Sequence, residues 1–191
     1  MAHISIIGTG TMGQAIAGIA AKGGHTVELL NTSTAAQPAT GEIVVLAVPY
    51  PALATVLGER AGQLAGKVVV DLTNPVDFAT FDGLTVPADS SAAAEVAAAV
   101  PTARVVKAFN TNFGATLASG SIGENTTTVL IAGDDPDAKA LLAGVVAAAG
   151  LKAVDAGSLK RARELEALAF LQMTLAAGEK ISWTGGFALT N

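Results

Sequence analysis

Short runs rich in Val, Ile and Leu alternate along the chain with longer stretches of mixed apolar and polar residues. The runs at residues 4–7, 43–48 and 67–72 are typical of strands that are buried on both faces. Further strands are predicted at residues 26–30, 104–109, 126–132 and 152–155, and helices at residues 12–22, 52–64, 92–100, 136–149 and 158–177. This alternation predicts an α/β fold with a doubly wound, mostly parallel sheet.

The second and third predicted strands are joined by only about a dozen residues, 31–42, too few for the usual helix, strand and helix. Extended at about 3.3 Å per residue, this link can cross one neighbouring strand and return to the opposite end of the sheet. Strand 26–30 is therefore expected at the edge of the sheet, where Glu28 can reach solvent.

The last predicted helix carries apolar side chains around most of its circumference: Leu165, Leu168, Ala169, Leu171, Met173, Leu175 and Ala176. Such a helix is buried on more than one side, and we expect the sheet on one side and a second subunit on the other. Burial under the tail, residues 181–191, is the alternative.

The strongest functional signal follows the first strand, where Gly8, Gly10 and Gly13 have the G-x-G-x-x-G spacing. Gly8 permits a tight turn, Gly10 lets the backbone approach a pyrophosphate, and Gly13 lets the helix pack closely on the strand. The amides and the dipole of the helix N-terminus then hold the anion. The fold is therefore expected to be Rossmann-like and to bind a dinucleotide.

Composition narrows the class of protein further. The 191 residues are 51% hydrophobic and 14% charged, which fits one α/β domain with a modest appendage. A net charge of -5 argues against a nucleic-acid or anionic-membrane partner, and the absence of cysteine excludes disulfides, thiolate metal sites and a cysteine nucleophile. With no apolar run of membrane-spanning length and no signal peptide before the strand at residue 4, we expect a cytoplasmic protein without a metal site.

The ligand is expected beyond the carboxyl ends of the strands, at residues 8–13, 31–33, 48–51, 73–75 and 108–111. At residues 31–33 an NAD-preferring fold would carry Asp or Glu, but this chain has Asn31, Thr32 and Ser33. Neutral residues do not repel a 2′-phosphate, which favours NADP(H), although no adjacent arginine can pair with that phosphate. Closure of the edge turn is the alternative role for these residues.

Few groups in these segments can move a proton. His3 and His25 precede strands at the opposite end of the sheet, and Tyr50, the one tyrosine, is not part of a Tyr-x-x-x-Lys pair. Lys107 could donate a proton, but we expect it to extend along the sheet margin. A flavin-like ring is itself an electron sink, so this shortage favours such a ring as the hydride acceptor and leaves the catalytic residues unassigned.

Three further features have two readings each. Tyr50 could pack near the adenosine or nicotinamide, or lie on the surface beside two prolines. The basic residues of the last helix, Lys160, Arg161 and Arg163, could pair with acidic groups, for example Arg163 with Glu166, or contact an anionic ligand. In the tail, Trp183 and Phe187 could wall the acceptor ring or pack on the core.

Six motifs in order resemble one family: the glycine turn and the segments at residues 48–50, 70–75, 106–111, 132–135 and 155–159. Together they are similar to the NADP oxidoreductases that use an 8-hydroxy-5-deazaflavin coenzyme and to the cytosolic reductase domain of the six-transmembrane ferrireductases. The resemblance covers nearly the whole chain. It implies a Rossmann domain that binds NADP and passes hydride to or from a flavin or deazaflavin, usually in a homodimer.

Carried over to this chain, the resemblance implies that the glycine turn holds the pyrophosphate, Thr32 and Ser33 meet the 2′-phosphate, and Val48, Pro49, Asn74 and Ala108 line the nicotinamide. The chain departs from the pattern in lacking an arginine after the second strand and in carrying Asn110 where deazaflavin users often have histidine. The predicted cofactor-binding residues are Gly8, Thr9, Gly10, Thr11, Met12, Gly13, Asn31, Thr32, Ser33, Val48, Pro49, Tyr50, Asn74, Pro75, Ala108 and Asn110.

The sequence thus predicts an NADP-dependent oxidoreductase that transfers hydride between NADP(H) and a flavin, deazaflavin or similar planar acceptor. Residues 1–157 are expected to form the dinucleotide-binding domain, and residues 158–191 to complete the acceptor site and the dimer interface. Two alternatives remain: an NADPH-dependent reductase of a small carbonyl or imine metabolite, and a non-catalytic NADP-binding sensor module.

Overall fold

The computed structural model describes residues 1–190 and contains one large sheet with helices on both faces. The strands are β1 (His3–Ile7), β2 (Thr26–Leu30), β3 (Ile43–Leu46), β4 (Val68–Asp71), β5 (Arg104–Ala108), β6 (Ser121–Ile122), β7 (Asn125–Thr126), β8 (Thr128–Gly133) and β9 (Lys152–Gly157). The helices are α1 (Thr11–Lys22), α2 (Leu53–Leu64), α3 (Ala92–Ala99), α4 (Gly114–Ser119), α5 (Pro136–Ala148) and α6 (Ala162–Ala177).

The seven-stranded sheet has the order β2-β1-β3-β4-β5-β8-β9, and only the pairing of β5 with β8 is antiparallel. The prediction of a mostly parallel, Rossmann-like sheet is therefore confirmed. β2 lies at the edge as predicted, because the short link crosses β1: Ile4 pairs with Val27 on one side and with Ile43 on the other.

Glu28 does not simply point into solvent at this edge. Its carboxylate accepts hydrogen bonds from the Ser5 hydroxyl and from the amide and hydroxyl of Thr40. Burial alone would raise its pKa, but these hydrogen bonds prevail and lower the pKa below its usual value. The contacts attach the link to β1 and β2.

Two apolar cores cover the two faces of the sheet. Alternate residues of a strand point to opposite faces, so Ile43 and Val45 of β3 join the core under α1 and α5, whereas Val44 and Leu46 join the core under α2 and α3. This is the arrangement that leaves the loops at the carboxyl ends of the strands free to form a site.

Residues 112–127 contain structure that the sequence pattern did not predict. α4 has only six residues and is capped at its C-terminus by Gly120, whose φ of 77° is left-handed. β6 and β7 form a hairpin with two residues in each strand. Segments this short carry too few residues to show a hydrophobic period. The predicted strand at 126–132 is accordingly divided between β7 and β8.

α6 begins four residues later than predicted, after a 3-10 turn at Leu159–Arg161. Its buried residues form a stripe that includes Leu165, Ala169 and Ala176, whereas the side chain of Leu171 points outward and is 51% exposed. The tail packs back in part, since the Trp183 ring lies 4.9 Å from the Phe113 ring, centroid to centroid. A second subunit on the outer face of α6 stays a prediction. Within residues 1–190 no helix has the length and apolarity to cross a membrane.

Candidate functional site

The turn after β1 has the geometry that the glycine spacing predicts. Gly8 has a φ of 115°, and a Cβ on it would lie 2.0 Å from the carbonyl oxygen of Ala47. A Cβ on Gly13 would lie 2.1 Å from the carbonyl oxygen of Gly8. Both positions therefore exclude any larger residue. At Gly8 the reasons are the positive φ and the close approach of Ala47, and at Gly13 the reason is that α1 packs directly on the turn.

Gly10 differs from these two glycines because a Cβ on it would meet no atom of residues 1–190 within 4 Å. Gly10 is also the N-cap of α1, and in the described chain no side chain caps this helix and no acidic residue occupies its first turn. The first amides of α1 are thus available to an anion, with open space in front of them. This arrangement fits a pyrophosphate.

Residues 31–33 lie beside the glycine turn, because the Gly8 amide donates to the carbonyl of Leu30 at 2.8 Å. Asn31 caps the 3-10 turn Thr32–Thr34, and its Oδ1 accepts from the amide and hydroxyl of Ser33, at 2.9 and 2.7 Å. Thr34 Oγ1 in turn accepts from the Asn31 amide at 2.8 Å. Asn31 and Ser33 therefore close the edge turn, which was the alternative role considered for them, while Thr32 projects from the same exposed turn.

An arginine that the sequence pattern did not indicate contacts the link between β2 and β3. Arg60 of α2 is buried and donates to the carbonyls of Ala35 and Gln37, at 3.0 and 2.9 Å. Because these bonds hold the guanidinium beneath the link, Arg60 supports its backbone.

A cleft of about 530 Å³ opens beside the start of α1, at the carboxyl ends of β3, β4 and β5. Its walls are mostly apolar, with a few amide and hydroxyl groups between them. The lining residues are Thr11, Met12, Val48, Pro49, Tyr50, Leu72, Thr73, Asn74, Phe78, Asn110, Asn112, Phe113, Gly114, Ala115, Met173 and Trp183.

The structure brings many of the predicted cofactor-binding residues together in this cleft: Thr11, Met12, Val48, Pro49, Tyr50, Asn74 and Asn110. Gly8, Thr9, Gly10 and Gly13 lie in the adjoining turn, and Asn31, Thr32 and Ser33 lie next to it. Pro75 and Ala108 are buried and are not among the residues that line the cleft.

Several lining residues were not predicted from the sequence. Asn112 and Phe113 follow Asn110 in the loop after β5, and Met173 comes from α6, more than half the chain away from Tyr50. Asn112 directly follows the predicted segment 108–111. Nothing in the sequence pattern indicates which side of α6 faces the cleft.

Lys107 is the largest departure from expectation. It does not extend along the sheet margin but is fully buried, where its Nζ donates to Asp71 at 2.8 Å, to Glu166 at 2.7 Å and to the carbonyl of Thr73 at 2.6 Å. Glu166 also accepts from the amides of Ala92 and Ala93 at the start of α3. Burial raises the pKa of Glu166 against the opposing charge of Lys107.

This buried ion triad, Asp71, Lys107 and Glu166, joins β4, β5 and α6 beneath the cleft. All three donor bonds of the Lys107 ammonium are used within the protein. Lys107 is therefore poorly placed to protonate a ligand, and its role is to fix α6 and the Thr73 backbone on the sheet.

Tyr50 lines the cleft, and its hydroxyl is hydrogen-bonded within the protein. Its hydroxyl donates to Glu95 of α3 at 2.8 Å. Partial burial, the hydrogen bond and the charge of Glu95 raise the pKa of Tyr50 to about 12. A phenol of this pKa is a weak proton donor near neutral pH.

The loop after β5 is held in an unusual conformation. Phe109 is buried with a φ of 65°, in the left-handed region that a bulky residue rarely adopts. The next residue, Asn110, is locked by reciprocal bonds with Asn74: each side-chain amide nitrogen donates to the other residue, at 3.0 and 3.1 Å. The strain thus coincides with the loop that lines the cleft.

Aromatic residues form the rim of the cleft. Phe78 is 63% exposed and Trp183 is 53% exposed, and both line the opening. Behind them Phe81 contacts both Phe78 and Phe170, with ring centroids 5.9 and 6.2 Å apart. Exposed aromatic faces beside an apolar cleft are suited to a planar ligand.

The basic residues at the start of α6 do not form the predicted pair of Arg163 with Glu166. Arg161 pairs with Glu164 at 2.8 Å, Arg163 donates to the carbonyl of Pro87 at 3.4 Å, and Glu166 pairs with Lys107.

His25 lies at the amino end of the sheet, away from the cleft as predicted. Its Nδ1 accepts from the Ala2 amide at 3.0 Å.

The fold and the site define a class: a Rossmann-type α/β protein whose glycine turn fits a dinucleotide pyrophosphate and opens into an apolar cleft. Comparison with known proteins makes this more specific. The model of the family "NADP oxidoreductase coenzyme F420-dependent" matches residues 20–75. An F420-dependent NADP reductase from Methanothermobacter marburgensis is 32% identical over 157 residues, which cover 78% of this chain and 69% of that protein. The chain belongs to the family of F420-dependent NADP oxidoreductases.

Two other similarities agree with this membership. The metalloreductase STEAP3 of Rattus norvegicus is 38% identical over 108 residues, which cover 56% of this chain but only 21% of the much longer rat protein. A crystal structure from Arthrobacter sp. FB24, provisionally assigned as an F420-dependent NADP reductase, superimposes with a TM-score of 0.85 at 25% identity over the full length of both chains. The resemblance inferred from the sequence motifs is thereby confirmed.

Proposed function

We propose that this protein transfers hydride between NADP(H) and a planar acceptor of the flavin or deazaflavin class, bound in the cleft beside the glycine turn. The observation that carries the proposal is the continuity of the two sites: Thr11 and Met12 belong both to the uncapped start of α1 and to the wall of the cleft. A dinucleotide with its pyrophosphate on α1 would place its nicotinamide half toward this cleft.

The chemistry of the lining residues supports positioning without acid–base catalysis. When bound, NADPH supplies the hydride and the acceptor ring takes it up. The protein contributes a mostly apolar cleft. It offers no free proton donor from Lys107 or Tyr50, because the Lys107 ammonium is buried and fully hydrogen-bonded and the Tyr50 hydroxyl donates to Glu95. Holding two rings in contact and excluding water accounts for rate enhancement in such a transfer.

The acceptor is proposed from the family and from the rim of the cleft. Relatives bear the name F420-dependent NADP reductase, and Phe78 and Trp183 present aromatic surface to the opening. This chain has Asn110 at the position where deazaflavin users of the family often have histidine, so flavin and deazaflavin must both be tested. A small carbonyl or imine substrate is less well supported, because it needs a proton donor and neither Lys107 nor Tyr50 is suited to that role.

A homodimer is proposed on the outer face of α6 and the tail. Leu171, Phe187 and Leu189 are each about half exposed, and a subunit interface on this side would bury their apolar side chains. Light scattering after size-exclusion chromatography should give twice the mass of the 18.9 kDa chain. A monomer at all concentrations would contradict the dimer and leave the hydride-transfer proposal standing.

The test of the proposed function is a comparison of acceptors. Protein loaded with NADPH is mixed with oxidised flavin, oxidised deazaflavin, and a panel of ketones and imines, and the loss of NADPH is followed. Oxidation by one of the planar rings is expected. Oxidation by a ketone or imine alone would establish the carbonyl or imine reductase, and tight binding without oxidation by any acceptor would establish the sensor module.

A further inference from the structure

Three polar atoms of the cleft are buried and have no hydrogen-bond partner among the residues that the structure describes. They are Thr73 Oγ1, Asn110 Oδ1 and Asn112 Oδ1. The residues are 2%, 5% and 6% exposed, and all three line the cleft. Because a buried polar group without a partner is destabilising, a molecule bound in the cleft would gain by pairing with these three groups.

The orientation of the two asparagine amides is fixed by their neighbours. The side-chain nitrogen of Asn112 donates to the carbonyl of Thr128 at 3.0 Å, and that of Asn110 donates to the carbonyl of Leu165 at 3.0 Å. A carbonyl can only accept, so neither amide can be turned around. Both Oδ1 atoms are therefore acceptors that remain free in the described chain.

These atoms restrict the chemistry of the group that they bind. Two acceptors require a donor group, N–H or O–H, and they repel a carboxylate or phosphate. The Thr73 hydroxyl can donate to a neighbouring carbonyl oxygen. Among the groups on the ligands of the proposed function, an amide or imide, with N–H beside C=O, offers both the donor and the acceptor that these atoms need.

We propose that Thr73, Asn110 and Asn112 recognise the amide or imide edge of a ring bound in the cleft. This inference rests on the proposed function, within which two ligands present that edge: the nicotinamide carboxamide and the pyrimidine imide of a flavin-type ring. The three residues determine specificity without touching the hydride-transfer step.

The test measures binding of oxidised ligands, so that no reaction occurs. Each parent ligand is compared with an analogue that lacks the N–H: NADP⁺ with its 3-acetylpyridine analogue, and riboflavin with N3-methylriboflavin. The wild-type protein should bind the parent of one pair about three- to tenfold more tightly than the analogue, the value of one hydrogen bond. The pair that shows this ratio identifies the source of the edge.

Asn112→Leu should abolish this ratio by weakening the parent ligand and leaving the analogue unchanged. Since the Thr128 carbonyl then loses its donor, the melting temperature is measured to establish that the variant is folded. Thr73→Val provides a variant that loses no internal hydrogen bond, and it should weaken binding of the same ligand without lowering the melting temperature.

Thr128→Val is the matched control, because Thr128 has an equally unpartnered, buried hydroxyl in the described chain but does not line the cleft. It should leave binding of every ligand unchanged. Equal affinity for parent and analogue in both pairs, with wild-type protein, would overturn the inference. Loss of hydride transfer to every planar acceptor would overturn the proposed function and leave a measured ratio intact, so the two failures are distinguishable.

Discussion

At the scale of single residues, the account depends on the three glycines of the turn after β1 and on the buried ion triad of Asp71, Lys107 and Glu166. Gly8, Gly10 and Gly13 occur within six residues, and local backbone chemistry alone assigns their roles. Lys107 and Glu166 are 59 residues apart, and their pairing depends on where α6 crosses the sheet. Sequence patterns report local conformation well, but they do not report which distant charge completes a buried cluster.

The first prediction concerns Gly10. Gly10→Ala should abolish detectable NADPH binding in calorimetry while leaving the melting temperature unchanged, because the added methyl group meets only the space proposed for the pyrophosphate. Gly18→Ala is the matched control. Gly18 lies in the interior of α1 with equally open surroundings among the described residues, so its replacement should raise the free energy of unfolding by about 0.5–1 kcal/mol and preserve binding. Unchanged NADPH affinity in Gly10→Ala would refute the assigned site.

The second prediction concerns the ion triad. Lys107→Met leaves Asp71 and Glu166 buried without their cation, and the free energy of unfolding should fall by about 3–5 kcal/mol in urea denaturation. Lys139→Met, which breaks an ion pair with the 60% exposed side chain of Asp155, should cost only about 1 kcal/mol or less. Equal losses of unfolding free energy in the two variants would show that the buried triad stabilises the fold no more than an exposed ion pair does.

The same variant has a predictable dependence on pH. Burial raises the pKa of Glu166 in the folded state, and loss of Lys107 removes the charge that opposes this shift, so folding takes up a proton that the unfolded chain releases. Stability is then retained below the ordinary carboxyl pKa and lost as pH rises through the raised pKa of Glu166. The deficit of Lys107→Met should thus be smaller at low pH than at neutral pH, and a deficit independent of pH would contradict this explanation.

At the scale of elements, the sequence predicted those strands and helices that are long enough to show a period. The short link between β2 and β3 also predicted correctly that β2 is an edge strand, because chain length limits the possible connections. α4 and the hairpin of β6 and β7 were not predictable, since their positions depend on tertiary contacts such as the approach of Gly114 to Thr11. The loop after β5, which supplies much of the cleft, falls in this less predictable part.

The third prediction concerns the link itself. Thr32→Arg should tighten NADPH by roughly tenfold and change NADH little, because a guanidinium on the exposed turn can pair with the 2′-phosphate. Thr102→Arg adds the same charge in an exposed position just before β5, at the amino end of the sheet, and should change neither affinity. Equal tightening of NADPH and NADH by Thr32→Arg would show that the 2′-phosphate lies elsewhere.

At the scale of the whole molecule, the cleft is an assembly of distant segments. α1, the loops after β3, β4 and β5, and α6 with the tail each contribute part of its wall, and the ion triad fastens α6 across the sheet beneath it. The sequence located the dinucleotide half of this site, because the glycine turn is contiguous. The acceptor half of the site depends on α6 and the tail, whose positions are set by contacts between residues that are far apart in the sequence.

The most direct test of hydride transfer in this cleft is a single turnover with NADPH that carries deuterium at the transferred position of the nicotinamide. The label should slow oxidation of the bound NADPH several-fold and should appear on the deazaflavin ring, at the carbon that receives the hydride, with none released to solvent. Deuterium found in water when deazaflavin is the acceptor, or NADPH that stays reduced in the presence of both flavin and deazaflavin, would contradict direct transfer between two rings in this cleft.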